Sequence, residues 1–106
     1  MINLTPHAIT IRVNGVDTVI QPSGTLARVA STEEQVGVCP LTGAPIMRRV
    51  FGEVTGLPTD GSACLVSALV LSACTGRVGV FAPDTSNTAI RNEAGQVIAC
   101  TRLVAA

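Results

Sequence analysis

Residues 63–82 read ACLVSALVLSACTGRVGVFA, and the way this stretch divides decides the fold. Cys64-Leu65-Val66-Ser67 is either a fully buried strand or the opening turn of a helix, because so short an apolar run has no informative period. Ala68 to Cys74 reads as a short helix. Alanine and leucine are strong helix formers, and Gly76 stands where a glycine ends such a helix. Val78 to Ala82 reads as a strand again. Cys64 to Ala82 is therefore predicted to be a strand–helix–strand crossover, although 19 residues is short for the usual unit. The apolar run from Ala63 to Cys74 has only 12 residues, whereas a membrane-spanning helix takes about 20. It reads as a core segment, and no membrane partner is expected.

Upstream, the chain reads as short strands and turns. Ile2-Asn3-Leu4 is strand-like and is interrupted by Thr5-Pro6. Ala8 to Val13 alternates apolar and polar residues, Asn14-Gly15 is the strongest hairpin signal in the chain, and Val16 to Ile20 is the return strand. Thr25 to Ala30 alternates without a clear face. Ser31 to Pro45, with two glycines and two prolines, reads as an excursion. A capping box from Ser31 to Glu34 would start one helical turn in it. Ile46 to Val54 reads as a strand in which Gly52 marks a bulge or a close backbone approach. Downstream, Thr88 to Arg91, a turn over Asn92 to Gly95 and a long strand from Gln96 to Val104 form a last hairpin.

These elements predict one α+β domain over residues 1–106, a small mixed and mostly antiparallel sheet with one or two short helices. An all-β fold is the alternative. The chain is 47% apolar and 13% charged, which argues against disorder. With no Trp or Tyr and only Phe51 and Phe81, the core must be aliphatic. So weakly charged a surface predicts partial cover by further copies, that is, a homo-oligomer.

The seven cations are all arginine and seven acids balance them. A neutral chain without Tyr or Trp lacks both the basic footprint and most of the stacking platforms of a nucleic-acid binder. Without lysine it cannot carry a Walker A motif, and it has no G-x-G-x-x-G or G-x-S-x-G. Cys39, Cys64, Cys74 and Cys100 lack metal-knuckle spacing, and a single histidine cannot complete a Cys/His site. No metal or other cofactor is predicted. The cysteines read as reduced and mostly buried thiols, and with strand-like sequence from the start, the expected compartment is the cytoplasm.

Three polar clusters follow strand-like runs: Asn3-Leu4-Thr5-Pro6-His7, Ser67, and Pro83-Asp84-Thr85-Ser86-Asn87. If their strands are neighbours with matching direction, the clusters converge on one rim, where open sheets gather ligands. The candidate ligand-binding residues are Asn3, Thr5, His7, Ser67, Asp84, Thr85 and Arg91. Hydroxyls and amides suit a polar ligand, the N–H groups after Ser67 suit an anion, and Arg91 supplies a charge-assisted contact. His7 is the only histidine in the chain, and histidine is the usual general acid or base. Each has a plainer structural reading: a turn histidine, a helix N-cap at Ser67, an Asx or Ser/Thr turn at Asp84 to Ser86, and surface pairing of Arg91 or Arg102 with Glu93 or Asp84.

Asn3-Leu4-Thr5-Pro6-His7, Pro22 to Val29, Gly52 to Pro58 and Arg91 to Gln96 resemble a family of short proteins of actinobacteria and phages. The resemblance carries no activity with it. It implies a small soluble protein of phage, prophage or mobile-element setting, where such proteins are often structural parts, regulators or inhibitors of host defence. By that analogy the first expectation is a small oligomeric binding protein for a nucleotide-derived ligand, in the manner of a sponge that sequesters a nucleotide immune signal. The alternatives are a protein–protein interaction module, as an inhibitor or virion accessory, and a His7-dependent phosphodiesterase-like enzyme. The balance of motifs leans away from catalysis.

Overall fold

The predicted crossover is present and forms the centre of the molecule. In the computed structural model, which describes residues 1–106, β6 (Cys64–Leu65), α1 (Ala68–Ala73) and β7 (Val80–Pro83) are a right-sized miniature of a strand–helix–strand unit. The two strands are parallel, with Cys64 opposite Val80 and Leu65 opposite Phe81. Ser67 has an extended backbone and its Oγ accepts from the Val70 N–H at 3.3 Å. This satisfies one of the orphan donors at the helix start. Val70 and the C-cap residue Cys74 stand four residues apart on one face of α1, and Val66 precedes the cap. Together with Leu4, Cys64 and Val80 they form the core cluster.

The sheet grows on both sides of this unit. β1 (Ile2–Asn3) lies parallel to β6, and β10 (Leu103–Ala105) lies antiparallel to β7, giving the order β1-β6-β7-β10. The predicted first hairpin forms from β2 (Ile9–Val13) and β3 (Val16–Ile20). Its turn has positive φ at both Asn14 (52°) and Gly15 (76°), the conformation of a two-residue hairpin turn. Altogether the chain has a single six-residue helix and mostly antiparallel strand pairs. No helix is long and apolar enough to cross a membrane.

Two sequence expectations are overturned. The stretch from Ser31 to Pro45 is no irregular excursion and contains no helical turn. β4 (Arg28–Val38) and β5 (Pro45–Thr55) are 11 residues each and form a long antiparallel hairpin. Glu33 lies opposite Arg49 and Glu34 opposite Arg48, so the acids of the supposed capping box face cross-strand cations instead, and Glu34 closes an ion pair with Arg48 at 3.7 Å. The predicted single strand from Gln96 to Val104 is also divided. β9 (Val97–Ala99) pairs with β8 (Ile90–Arg91), Cys100 bridges to Ile11, and only β10 reaches the central sheet. One strand cannot follow two differently directed neighbours, so the chain bends at Thr101-Arg102.

The expectation at Gly52 is met. Between Val29–Val54 and Ser31–Phe51 the register shifts by one residue, leaving Gly52 and Glu53 against Ala30. A Cβ on Gly52 would lie 3.3 Å from the Ala30 carbonyl oxygen. A second bulge falls at Val36, between Gln35 and Gly37.

The hairpin of β4 and β5 stands out from the body as an arm. Every residue from Ala30 to Val50 except Cys39 is exposed. The radius of gyration is 16.6 Å, against about 13 Å for a globular chain of this length. Only 13 of 106 residues are buried, so the core belongs almost wholly to the four-stranded sheet, α1 and the chain beside them.

Candidate functional site

β1, β6 and β7 run in the same direction side by side. Their C-terminal ends therefore leave the sheet at one edge. That topology brings Asn3 and Thr5, Ser67, and Asp84 and Thr85 to a common rim, as the convergence condition required.

At the first strand end, Asn3 is 1% exposed and its amide is fully used. Nδ2 donates to the His7 carbonyl at 2.8 Å and to the Ile20 carbonyl at 2.9 Å. Oδ1 accepts from the Thr5 N–H at 3.0 Å. The Thr5 hydroxyl lies 2.7 Å from Asn3 Oδ1 and 3.0 Å from the His7 carbonyl; it has one proton to share between them. The segment is thus a knot that ties β1 to the end of β3. His7 contributes its backbone carbonyl to the knot, while the residue itself is exposed.

Ser67 caps α1 and is exposed. The expected anion seat beyond it is limited by the helix, which is only six residues long and has one of its free N–H groups already taken by the cap. At the third strand end, Asp84 is 8% exposed. Its Oδ1 accepts from the Ser86 N–H at 2.9 Å, and its Oδ2 accepts from Arg102 Nε at 2.6 Å. The bonds from Ser86, and then that from Arg102, hold the carboxyl down at about 2. The predicted Asx turn and the predicted arginine pairing are both present here, and Arg102 is the arginine that pairs. Arg91 spans from the last hairpin to the rim, with Nη1 donating to the Gly95 carbonyl at 2.9 Å and Nη2 to the Thr85 carbonyl at 3.1 Å.

Two grooves flank the rim. One, of about 350 Å³, runs between Ala68, Leu71 and Ser72 of α1 and the stretch from Ala82 to Ser86. The other, of about 520 Å³, separates Ser67, Leu69 and Val70 from the arm base at Ala27 to Ala30. Asp84 and Thr85 line the first and Ser67 lines the second. Asn3, Thr5, His7 and Arg91 line neither. Convergence on the rim thus gathers the strand ends, but only part of the set faces a shared groove.

The cysteines divide as expected, with one exception. Cys64, Cys74 and Cys100 are buried, and burial pushes their thiols upward. Cys39 sits half-buried at the arm tip, where hydrogen bonds from Thr42 draw its thiol downward. No three His, Cys, Asp or Glu side chains come together as a metal cluster.

The surface that sequence reading missed is the arm. Val36, Val38, Ile46, Met47 and Val50 are all exposed along it, and Leu41 at its tip is 90% exposed. A signal for it is present in the sequence. Glu33-Glu34 and Arg48-Arg49 stand at mirrored distances on either side of Leu41, as a hairpin with that residue at its tip requires. No protein-family model matches the chain, and neither a curated protein nor a solved structure does.

Proposed function

We propose that this protein is a protein–protein interaction module that works through the β4–β5 arm. The observation that carries the reading is the arm's exposure on both faces from Ala30 to Val50. A two-stranded ribbon is at best marginally stable in water on its own. Its outer edges offer rows of backbone N–H and C=O groups, which is how strand addition to a partner begins. The apolar side chains along it add the area that such a contact buries.

The test places a photoreactive residue at position 41 of the full chain, or at position 17 on the β2–β3 hairpin as control. The cells producing the protein are then irradiated. Covalent protein adducts from position 41 and none from position 17 are the expected result. No adduct from position 41 overturns the reading.

A second reading is a binding protein for a nucleotide-derived ligand, of the sponge type, in the phage or prophage setting implied by the resemblance. What favours it is the convergence of three strand ends beside a groove of about 350 Å³, a size within the range of small-molecule sites. Against it, the side chains of Asn3 and Asp84 already spend their hydrogen bonds within the chain. Incubation with a panel of cyclic and linear nucleotides, followed by chromatography before and after heat denaturation, tests it. A nucleotide that disappears and returns intact on heating supports sequestration; an unchanged panel removes this reading.

A further inference from the structure

We infer that the arm's partner is a second copy of this chain, with β4 of one copy alongside β5 of the next, so that neighbouring arms point the same way and close into a ring. This rests on the interaction reading above and names the partner.

The first argument is area. A globular monomer of this mass exposes about 5,500 Å². This chain, at 10.8 kDa, exposes 6910 Å². The excess, roughly 1,400 Å², falls within the ~1,000–2,500 Å² that each partner buries in an obligate oligomer.

The second argument is charge. The acids Glu33 and Glu34 lie on β4 and the cations Arg48 and Arg49 on β5, in direct register. The arm therefore has one acidic edge and one basic edge. Two arms joined β4 to β4 about a two-fold axis would bring glutamates together, and β5 to β5 would bring arginines together. Like charges across a strand pair are unfavourable. Only β4 against a neighbour's β5 sets glutamate beside arginine. Within the chain Glu34 and Arg48 are 3.7 Å apart, while Glu33 and Arg49 close no ion pair. That pair is free to bridge between copies.

The third argument is register. The bulges at Val36 and at Gly52-Glu53 interrupt the ladder, and bulges end regular pairing. Between them lies one uninterrupted stretch, Ser31 to Gln35 on β4 and Met47 to Phe51 on β5. It contains all four charges. The stretch fit for strand addition and the stretch with complementary edges are the same.

An interface between unlike edges is heterologous, so each copy uses both of its edges and the set closes into a ring when the rotation between copies closes. A mass that keeps growing with concentration, as an open filament gives, would overturn the ring. Two copies would make a four-stranded barrel, fewer strands than even the five of a small, partly open barrel. The ring therefore holds three or more copies.

The test uses the intact protein and the variant Glu33→Arg/Glu34→Arg/Arg48→Glu/Arg49→Glu. This fourfold exchange keeps every cross-strand pair within the arm opposite in charge, so the hairpin is retained. Sedimentation should give a mass of at least three chains for each protein alone. When the two are co-expressed with different tags they should separate into unmixed rings, because a mixed contact sets glutamate beside glutamate. A monomer or a dimer overturns the ring, and so does free mixing, which β4-to-β4 pairing would favour.

Cys39 gives an independent readout, since the other three thiols are buried. In the proposed arrangement neighbouring tips stand two strands apart, about 10 Å. A short bis-maleimide should then link Cys39 to Cys39. Arms pairing in opposite directions would hold their tips roughly 40 Å apart and give no link. If the chain is monomeric but position 41 still forms adducts with another protein, self-pairing fails and the interaction reading stands. If position 41 forms no adduct at all, both fail.

Discussion

The central sheet and the arm are made of similar residues held in different ways. Both are rich in valine and both contain long-range strand pairs. In the sheet, Cys64, Leu65 and Val66 are wholly buried between β1, β7 and α1. In the arm, Val36, Val38 and Val50 face solvent. The sheet is stabilised by burial within its own chain. Beyond its base, where Val29 and Val54 pack against the core cluster, the arm has its hydrogen-bonded ladder, the Glu34–Arg48 ion pair and little else. A segment of 11-residue strands with so little packing has its stabilising surface elsewhere, and this is why the arm, more than the rim, points outward to a partner.

The largest effect that would break this comparison is in the core. Leu65→Ala empties a side chain with 0% exposure and should cost about 2–5 kcal/mol, read as a shift in the urea midpoint. Ile46→Ala on the arm should leave the unfolding of an isolated chain within about 0.5 kcal/mol. Equal costs for the two substitutions would show that the arm is packed against its own body after all. A smaller effect tests where the core ends. Asn3→Ala removes the amide that joins Thr5, His7 and Ile20 and strands buried partners, at a cost of roughly 2–3 kcal/mol. A neutral result would mean that the knot is solvated and that the rim is open to ligand.

The same contrast explains what the sequence made legible. The crossover was readable because α1 and its flanking strands carry local signals: Ser67 as a cap, Ala and Leu as formers, and Gly76, whose φ is +82°, at the end. The first hairpin was readable from Asn14-Gly15 for the same reason. The rim required one non-local fact, that β1, β6 and β7 are parallel neighbours, and sequence could state it only as a condition. The arm was misread because its signals conflict. Ser31 to Glu34 is a locally valid capping box, and Gly37, Pro40, Gly43 and Pro45 look like loop punctuation. What makes the segment a strand is its partner 14 to 20 residues away, and propensity gives way to such pairing. The interruption at Thr101-Arg102 was hidden because alternation continues across it while the pairing partner changes.

The smallest expected effect lies at the rim itself, and it is a pH effect. Asp84 is held at about 2, below the ordinary carboxyl value of 3.8, chiefly by its bonds from Ser86 and then by that from Arg102. A carboxyl depressed in the folded state favours folding once the pH is above the unfolded value. That contribution declines as the pH falls from about 3.8 and is gone below about 2. Arg102 is 60% exposed, so solvent and salt screen its share of the effect. Acid unfolding of the wild type and of Asp84→Asn should therefore differ most above pH 4 and converge toward pH 2. The amide variant should follow the flatter curve. If the two curves stay parallel through that range, Asp84 is not held by these bonds in solution. The third strand end would then be free to take a ligand, and the contrast between a self-satisfied rim and an unsatisfied arm would lose one of its two sides.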